Sequence, residues 1–227
     1  MRLALFVLHS VSHLMSKGKP IPATVVLLVR HGVTPTTGKV LPGRRPGLHL
    51  SDDGRKQADA AAKRIAGLKR VAAIYSSPLE RARETAAAIA RARRMPIRID
   101  RGLFECDFGA WTGKRLDELR KRPEWDVVQR HPSAFRFPGG ESFSEMQARI
   151  TGAIARLVAQ HQGRTIVAVS HADPIKAAVA HALGVPLDLF QRIVIGTASI
   201  TAIAYGRTSA AVLTVNSADG DLATVLG

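Results

Sequence analysis

Short runs of apolar residues alternate with longer amphipathic segments along this chain. Runs rich in Val, Ile, Leu and Ala predict seven β-strands, at residues 25–29, 72–75, 97–99, 165–169, 193–195, 199–205 and 211–215. Segments in which apolar positions recur every three or four residues predict helices at 51–68, from 76–78 onward, and at 113–122, 145–160 and 174–183. Strands that alternate with helices favour an α/β fold, and we expect a three-layer α/β/α sandwich with a mostly parallel central sheet.

The same pattern sets the expected domain organisation. Residues 1–22 hold one short apolar run before the first strand, and we interpret them as a dispensable N-terminal extension. Residues 23–216 are expected to form one domain, with the last three strands at the edges of its sheet. Within it, residues 102–142 are rich in Gly, Pro and Trp and are expected to pass over the sheet. Residues 217–227 are expected to be a loose C-terminal tail.

Two histidines stand directly after two of the apolar strands. The first strand leads into Arg30, His31 and Gly32, and the strand at 165–169 leads into Ser170 and His171. Open α/β sheets build their sites at the carboxyl ends of their strands. Neutral imidazole is a nucleophile near pH 7, and the planar guanidinium of Arg binds phosphate oxygens. The pattern therefore favours a site that attacks or holds a phosphoryl group over two unrelated polar strand ends.

A further basic residue is expected at the same place. Arg81 lies in the first turn of the helix that opens after Ser76, Ser77 and Pro78. Helix N-termini attract anions, and an arginine there would complete a phosphate clamp. Arg83 is expected to point away from this clamp, because two residues correspond to a rotation of roughly 200° around a helix.

A carboxyl group occurs in an apolar and aromatic stretch. Glu105 is preceded by Phe104 and is followed at a short distance by Phe108. Burial raises the pKa of a carboxyl group, which suits a proton donor to a leaving oxygen. Asp107 is the competing candidate, and its alternative role is that of a turn residue that bonds to the backbone before Gly109.

Composition limits the partners and the compartment. Lys and Arg number 33 against 18 acidic residues, which gives a formal charge of +15. Such an excess attracts polyanions, but it is spread along helices, and aromatic residues are only 5% of the chain, too few for a base-stacking pattern. We therefore expect a solvated basic surface, and a nucleic-acid-binding protein without catalysis is kept only as a distant alternative. The single cysteine and the short apolar runs indicate a cytoplasmic protein without a membrane partner.

Two other chemistries are disfavoured by spacing. A Cys-based phosphatase needs an arginine shortly after its cysteine, whereas Cys106 is followed by Asp107 and by no arginine before Arg115. A metal hydrolase needs histidines at ligand spacing. No such spacing is found among His31, His49, His131, His161, His171 and His181.

Four ordered blocks carry a resemblance to a known family. They read L-L-V-R-H-G-V-T, S-S-P-L-E-R-A-R-E-T-A, F-E-C-D-F-G-A-W-T-G and V-A-V-S-H-A. In this order they resemble the histidine phosphatase superfamily, also called phosphoglycerate-mutase-like, over about residues 24–206. The stretches at 105–113, 138–142 and 188–195 are similar to a branch whose members often carry a phosphomutase label.

The resemblance implies a role for each matched residue. His31 would be the nucleophile that becomes phosphohistidine. Arg30, Arg81 and His171 would surround the phosphoryl group and stabilise its transition state. Glu105 would protonate the leaving group and then accept a proton from the attacking water. No metal and no cofactor are implied, because the basic side chains supply the positive charge.

The chain departs from the family at Thr37, where members often have an asparagine that helps to hold the phosphate, and at Ala172, where they usually have glycine. Thr can still donate one hydrogen bond, with a shorter reach. Beside Thr37, the candidate substrate contacts are the loop residues Arg44, Arg45, Arg136 and Glu141.

We therefore expect a phosphomonoester hydrolase that acts on a small phosphorylated metabolite. The alternative is a phosphoglycerate-type mutase with the same intermediate. A mutase needs a long closing segment, and the roughly thirty residues between Trp111 and Ser142 already contain short helices and a Pro-Gly-Gly turn. The sequence is compatible with a homo-oligomer as well as with a monomer.

Overall fold

A six-stranded sheet forms the centre of the molecule in the computed structural model, which describes residues 22–226. Its strands are β1 Thr24–Arg30, β2 Val71–Ser76, β3 Ile97–Ile99, β4 Thr165–Ser170, β5 Ile200–Tyr205 and β6 Ala210–Ser217. They lie in the order β3-β2-β4-β1-β5-β6. The first four strands are mutually parallel, whereas β5 is antiparallel to both β1 and β6. The mostly parallel sheet expected from the sequence is confirmed.

Helices cover both faces of this sheet. They are α1 Asp52–Ala66, α2 Glu80–Arg93, α3 Leu116–Leu119, α4 Glu124–Arg130, α5 Phe143–Gln160, α6 Ala172–Leu183 and α7 Ala223–Leu226. The side chain of Ser51 accepts a hydrogen bond from the amide of Gly54 and so caps α1. Ser142 and Glu145 form a reciprocal capping box at the start of α5. Among the described residues, no helix combines the length and the apolar character needed to cross a bilayer.

Two separate hydrophobic clusters show the three layers. Successive residues of a strand point to opposite faces. Leu27 of β1 packs into a cluster with α1 and α2, whereas its neighbour Leu28 packs into a cluster with α5 and α6. The predicted apolar stripe of α5, formed by Met146, Ile150, Ile154 and Leu157, is buried in the second cluster. The expected α/β/α sandwich is therefore confirmed.

Three predicted elements were wrong. Residues 193–195 form no strand but follow a 3₁₀ helix at Leu187–Arg192. The carbonyl oxygen of Ile195 accepts a hydrogen bond from the side chain of Arg30 rather than from the backbone of a neighbouring strand. β5 is not an edge strand, since β6 pairs along its outer side. The helix predicted at 113–122 is limited to α3, and α4 was missed, because Pro123 separates two segments that are each too short to show a helical period.

The C-terminal segment is also better anchored than predicted. β6 continues to Ser217, and Leu222 is fully buried in the cluster beside α1 and α2. Arg64 of α1 donates hydrogen bonds of 2.9 Å to the carbonyl oxygens of both Ser217 and Gly220. These contacts hold residues 217–222 against the domain. Of the predicted N-terminal extension, residues 1–21 lie outside the described part of the chain.

Candidate active site

The two strand-end histidines meet at one edge of the sheet. β1 and β4 are neighbours, and Arg30 pairs in register with Ser170, so the next residue of each strand reaches the same edge. The rings of His31 and His171 lie 5.2 Å apart between centroids. Their residues are 5% and 0% exposed. The structure therefore brings together the residues that the sequence placed at two distant positions.

The hydrogen bonds of His31 assign its tautomer. Nδ1 lies 2.8 Å from the carbonyl oxygen of Gly32 and donates its proton there, which leaves the lone pair of Nε2 toward the site. Nε of Arg81 approaches this Nε2 at 3.3 Å. Burial, and then the charge of Arg81, hold the pKa of His31 well below its usual value. A neutral imidazole with an outward Nε2 has the form that a nucleophile needs.

Close contact between two glycines fixes the backbone that carries His31. A Cβ atom on Gly32 would lie 2.4 Å from the carbonyl oxygen of Gly54, and a Cβ on Gly54 would lie 2.0 Å from that of Val33. Only glycine fits at either position without a shift of the backbone. The amide of Gly32 donates to Oγ1 of Thr85 at 3.1 Å, and this hydroxyl in turn donates to the carbonyl oxygen of Arg81. The turn after β1 is thereby fixed against α1 and α2.

Arg81 is fully buried behind His31. It is the second residue of α2, which begins at Glu80, slightly later than predicted. Its Nη2 donates to the carbonyl oxygen of Gly43 at 2.8 Å, whereas its Nη1 is buried without a partner among the described residues. Arg83 is exposed, as its position on the helix predicts.

His171 presents a second unpartnered donor. Oγ of Ser77 accepts a long bond from the amide of Leu79 at 3.4 Å and lies 2.8 Å from Nε2 of His171. We assign the ring proton of His171 to Nδ1, the tautomer in which the Ser77 hydroxyl donates to Nε2, and Nδ1 has no hydrogen-bond partner within residues 22–226. Burial, followed by the charge of Arg81, lowers the pKa of His171 well below its usual value, so the ring is a neutral donor.

Arg30 supplies a third unpartnered donor. Its Nη1 donates to the carbonyl oxygen of Ile195 at 2.7 Å, while its Nε is buried and unpaired in the part of the chain that the structure describes. An unsatisfied buried donor is costly, more so when it is charged. The three unpaired groups of Arg30, Arg81 and His171 therefore suit an anion with several oxygen acceptors, such as a phosphoryl group.

Glu105 lies beside these donors and is only 7% exposed. Its Oε1 accepts from the amide of Cys106 at 3.0 Å, and its Oε2 lies 4.0 Å from Nδ1 of His171. Burial, together with the charge of Asp173 and against that of Arg81, raises the pKa of Glu105 to about 7. At neutral pH this carboxyl group can therefore both give and take a proton.

The competing residues take other roles. Oδ1 of Asp107 accepts from the amide of Gly109 at 3.0 Å, which is the turn role foreseen for it. The Cys106 thiol is buried, and burial raises its pKa, so it stays protonated and unreactive at neutral pH. Among the described residues, no group of three or more His, Cys, Asp or Glu is placed to hold a metal ion.

A cavity of about 350 Å³ opens above His31 and Glu105. Besides His31 and Glu105, its lining comes from the end of β1, from the loops after β1 and after Glu105, from the starts of α3 and α6, and from residues 191–195. These lining residues are Arg30, Thr34, Thr37, Gly38, Val40, Leu41, Pro42, Phe108, Leu116, Ala172, Asp173, Lys176, Gln191, Ile193, Val194 and Ile195. Thr37 thus lies at the cavity, as predicted from its position. Its Oγ1 accepts from the amide of Thr34 at 2.9 Å.

The structure does not bring the other loop candidates to this cavity. Arg44 and Glu141 form an ion pair of 2.7 Å, and Arg44 donates to the carbonyl oxygen of Glu105 at 2.9 Å. Both side chains are thus used within the protein, below the backbone of Glu105. Arg136 is exposed and pairs with Glu145 of α5, and Arg45 is exposed in its loop. Because of these positions, none of the four loop candidates lines the cavity.

Arg149 of α5 holds the Glu105 segment from below, a role that sequence reasoning missed. Its Nε and Nη2 bind the two carboxylate oxygens of Glu141 at 2.8 and 2.9 Å. It also donates to three backbone carbonyl oxygens, those of Gly102, Phe104 and Glu105. The only sequence signal was an arginine next to the apolar stripe of a helix, and such residues are usually solvated.

Replacement of Arg149 by Met is expected to destabilise the protein by about 2–4 kcal/mol, because it leaves a half-buried carboxylate and several carbonyl oxygens without their donor. Urea unfolding of the purified variant measures this loss. Arg156→Met on the same helix is the matched control, since the Arg156 side chain is 58% exposed and pairs with Asp100. Its expected cost is below about 1 kcal/mol, and equal costs in the two variants would contradict the prediction.

Comparison with known proteins places these residues in a family. The model of the histidine phosphatase superfamily (branch 1) matches residues 26–218. The chain is 34% identical over 187 residues to the bifunctional protein Rv2228c of Mycobacterium tuberculosis, an alignment that covers 82% of this chain and 50% of that protein. The chain therefore spans about half the length of this relative. It is 32% identical to phosphoserine phosphatase 1 of Hydrogenobacter thermophilus, over 73% of this chain and 79% of that one.

Solved structures agree with the sequence matches. The mycobacterial glucosyl-3-phosphoglycerate phosphatase Rv2419c aligns with a TM-score of 0.77 at 28% identity, over 86% of this chain and 99% of that one. Bacillus stearothermophilus YhfR aligns with a TM-score of 0.80 at 30% identity, over 86% and 98%. The family match covers most of the chain and includes both strand-end histidines, and the resemblance carried by the four sequence blocks is confirmed: the chain belongs to the histidine phosphatase superfamily.

Proposed function

We propose that the protein is a phosphomonoester hydrolase that cleaves a small phosphorylated metabolite through a phosphohistidine at His31. One observation carries this proposal. Three buried donors of Arg30, Arg81 and His171 have no partner in the described part of the chain, and the same side chains lie next to Nε2 of His31, which carries the lone pair and accepts a bond from Nε of Arg81. A phosphoryl group bound there would satisfy these donors and meet the nucleophile at the same time.

In the first step, Nε2 of His31 attacks phosphorus, and the bond from phosphorus to the ester oxygen breaks. Glu105 gives its proton to that oxygen, so the alcohol leaves neutral. A pKa of about 7 keeps much of Glu105 protonated at neutral pH. Arg30, Arg81 and the Nδ1 proton of His171 stabilise the charge on the equatorial phosphoryl oxygens.

In the second step, a water molecule takes the place of the alcohol. Glu105, now a carboxylate, accepts a proton from this water while the water oxygen attacks phosphorus. The bond from phosphorus to Nε2 breaks, which releases inorganic phosphate and returns His31 and Glu105 to their starting protonation. The proposal needs no metal, because Arg30 and Arg81 supply the positive charge and His171 adds a neutral donor.

Packing of residues between Trp111 and Ser142 supports hydrolysis over phosphoryl transfer to a second alcohol. Trp111 stacks on Trp125 at 6.3 Å and meets Phe137 edge-on at 5.4 Å, and Phe135 packs against Phe137 at 4.9 Å. These aromatic residues attach the segment to the core beside α5. A segment held in this way is poorly suited to close over the site and exclude water.

The fate of 3-phosphoglycerate tests this proposal. We expect release of inorganic phosphate from at least one phosphomonoester in a metabolite panel, and no isomerisation of 3-phosphoglycerate to 2-phosphoglycerate above that rate. The measurement is made with and without added 2,3-bisphosphoglycerate. Isomerisation much faster than phosphate release from every tested ester would identify a mutase instead.

A further inference from the structure

An ion pair forms part of the cavity wall next to the reacting groups. α6 begins directly after His171, and its first turns place Asp173 and Lys176 at the cavity. Nζ of Lys176 lies 3.3 Å from Oδ1 of Asp173 and 3.0 Å from Oε1 of Gln191. The two charged side chains are only 19% and 17% exposed. Neither belongs to the phosphoryl-binding set described above.

The pair lies between the charged groups of Arg30 and Glu105, on which Asp173 acts, and an apolar part of the wall. Much of the remaining wall is apolar, formed by Val40, Leu41, Phe108, Leu116, Ile193 and Val194. In such a partly desolvated setting, a charge that loses its partner is costly, and the two charges are expected to stay paired when a ligand enters. The pair therefore presents a polar patch without net charge beside the apolar part of the wall.

Hydrogen-bonding capacity remains on both members of the pair. An ammonium group has three donors, and those of Lys176 that bind Asp173 and Gln191 account for two. A carboxylate has about four acceptor positions, and Oδ1 of Asp173 uses one for Lys176. A hydroxyl group can donate to the carboxylate and accept from the ammonium without separating them.

A charged ligand group meets the opposite situation. A carboxylate that approaches Lys176 also meets the carboxylate of Asp173, and an ammonium that approaches Asp173 also meets Lys176. Each would have to break the existing pair and leave one partner unpaired in the wall. Repulsive elements of this kind are a common source of specificity.

Resting on the proposed function, we propose that the Asp173–Lys176 pair selects phosphomonoesters whose leaving alcohol is uncharged and carries a further hydroxyl group. Carboxylated and amino-substituted alcohols of the same size are rejected by the pair. The apolar wall contacts the carbon skeleton of the alcohol, and the pair binds its hydroxyl group. The substrate class is that of polyol, sugar and nucleoside phosphates rather than phosphorylated hydroxy acids or amino alcohols.

Three two-carbon esters test this selection, because they differ only in the distal group: 2-hydroxyethyl phosphate, phosphoglycolate and phosphoethanolamine. We expect wild-type kcat/KM to be about tenfold or more higher for the hydroxyl ester than for either charged ester. Asp173→Asn is expected to raise the ratio of phosphoglycolate to 2-hydroxyethyl phosphate about tenfold. Lys176→Met is expected to raise the ratio for phosphoethanolamine by a similar factor.

The crossed design separates selection from general damage. Asp173 lies near Glu105, so Asp173→Asn is expected to change turnover of all esters, whereas the ratios between esters cancel that change. Lys176→Gln repeats the test if the Met variant unfolds. Asp53→Asn and Lys56→Met are matched controls, since these residues form an exposed pair of the same spacing on α1, 77% and 79% exposed, and should leave all ratios unchanged.

Binding provides the same ratios without turnover. Dissociation constants of the three esters are measured by calorimetry in the His31→Ala background, with and without the Asp173 and Lys176 substitutions. The affinity for phosphoglycolate relative to phosphoethanolamine should rise in the Asp173 variant and fall in the Lys176 variant. These opposite shifts support the proposal even if the wild type hydrolyses none of the esters, in which case only the proposed hydrolysis fails. Ratios that stay within about twofold in both variants overturn it.

Discussion

Replacement of His31 by Ala is expected to reduce turnover of every phosphomonoester by at least about 10⁴-fold, the scale of loss seen when a nucleophile is removed. The expected cause is the loss of Nε2, because the donors of Arg30, Arg81 and His171 would still bind the phosphoryl group. The protein should stay folded, since a smaller side chain is accommodated at the end of a strand. Steady-state kinetics and circular dichroism measure both parts of the prediction.

Covalent labelling adds a direct readout for His31. Wild-type protein quenched during turnover of a ³²P-labelled ester should carry acid-labile, base-stable label, as a phosphorylated imidazole does, and His31→Ala should carry none. His131→Ala is the matched control, since His131 is exposed at the end of α4, away from the cavity. A His31→Ala protein with near-normal turnover would remove the basis of the mechanism.

Glu105→Gln is expected to separate substrates by their leaving groups. An alkyl oxygen needs a proton as it leaves, so loss of the acid should slow alkyl phosphates by about 10²–10⁴-fold. An aryl oxygen leaves without much help, and p-nitrophenyl phosphate should slow by less than about tenfold. The measurement is kcat/KM on both substrate types. Asp107→Asn is the control, because the Asp107 carboxylate is used by the amide of Gly109 at 3.0 Å and by Arg44 at 3.7 Å.

The pH profile should carry the same signature. Burial raises the pKa of Glu105 to about 7, and the acid form is the one that donates the proton. The kcat/KM of the wild type for alkyl phosphates is therefore expected to fall as pH rises through about 7, and this limb should be missing in Glu105→Gln. An equal loss on alkyl and aryl esters, or a greater loss in Asp107→Asn, would assign the proton transfer elsewhere.

Local patterns were enough to find the residues that meet at the candidate site. The apolar runs that end at His31 and His171 are long and uniform, and parallel pairing of the two strands then brings both residues to one edge. Arg81 and Glu105 were identifiable for a similar reason, because each follows a strong local signal, a helix start in one case and an aromatic stretch in the other. Their positions depend on few residues, all close in sequence.

The supporting residues were hidden because their roles depend on tertiary contacts. From sequence, Arg149 is a basic residue of an amphipathic helix, and only the fold shows that it gathers three carbonyl oxygens. Arg44 and Glu141 were predicted to meet the substrate, but two loops far apart in sequence bring them together as an ion pair instead. Residues 193–195 likewise have the composition of a strand, but within residues 22–226 they pair with no strand.

The state of Cys106 has a consequence for oxidative damage. Peroxide attacks the thiolate of cysteine, and phosphatases that use a reactive thiolate as nucleophile lose activity when it is oxidised. Here the single cysteine of the sequence, Cys106 beside Glu105, is buried and protonated, and the nucleophile proposed above is an imidazole. If His31 is the nucleophile as proposed, phosphate release is therefore expected to continue at oxidant concentrations that inactivate thiol-dependent phosphatases.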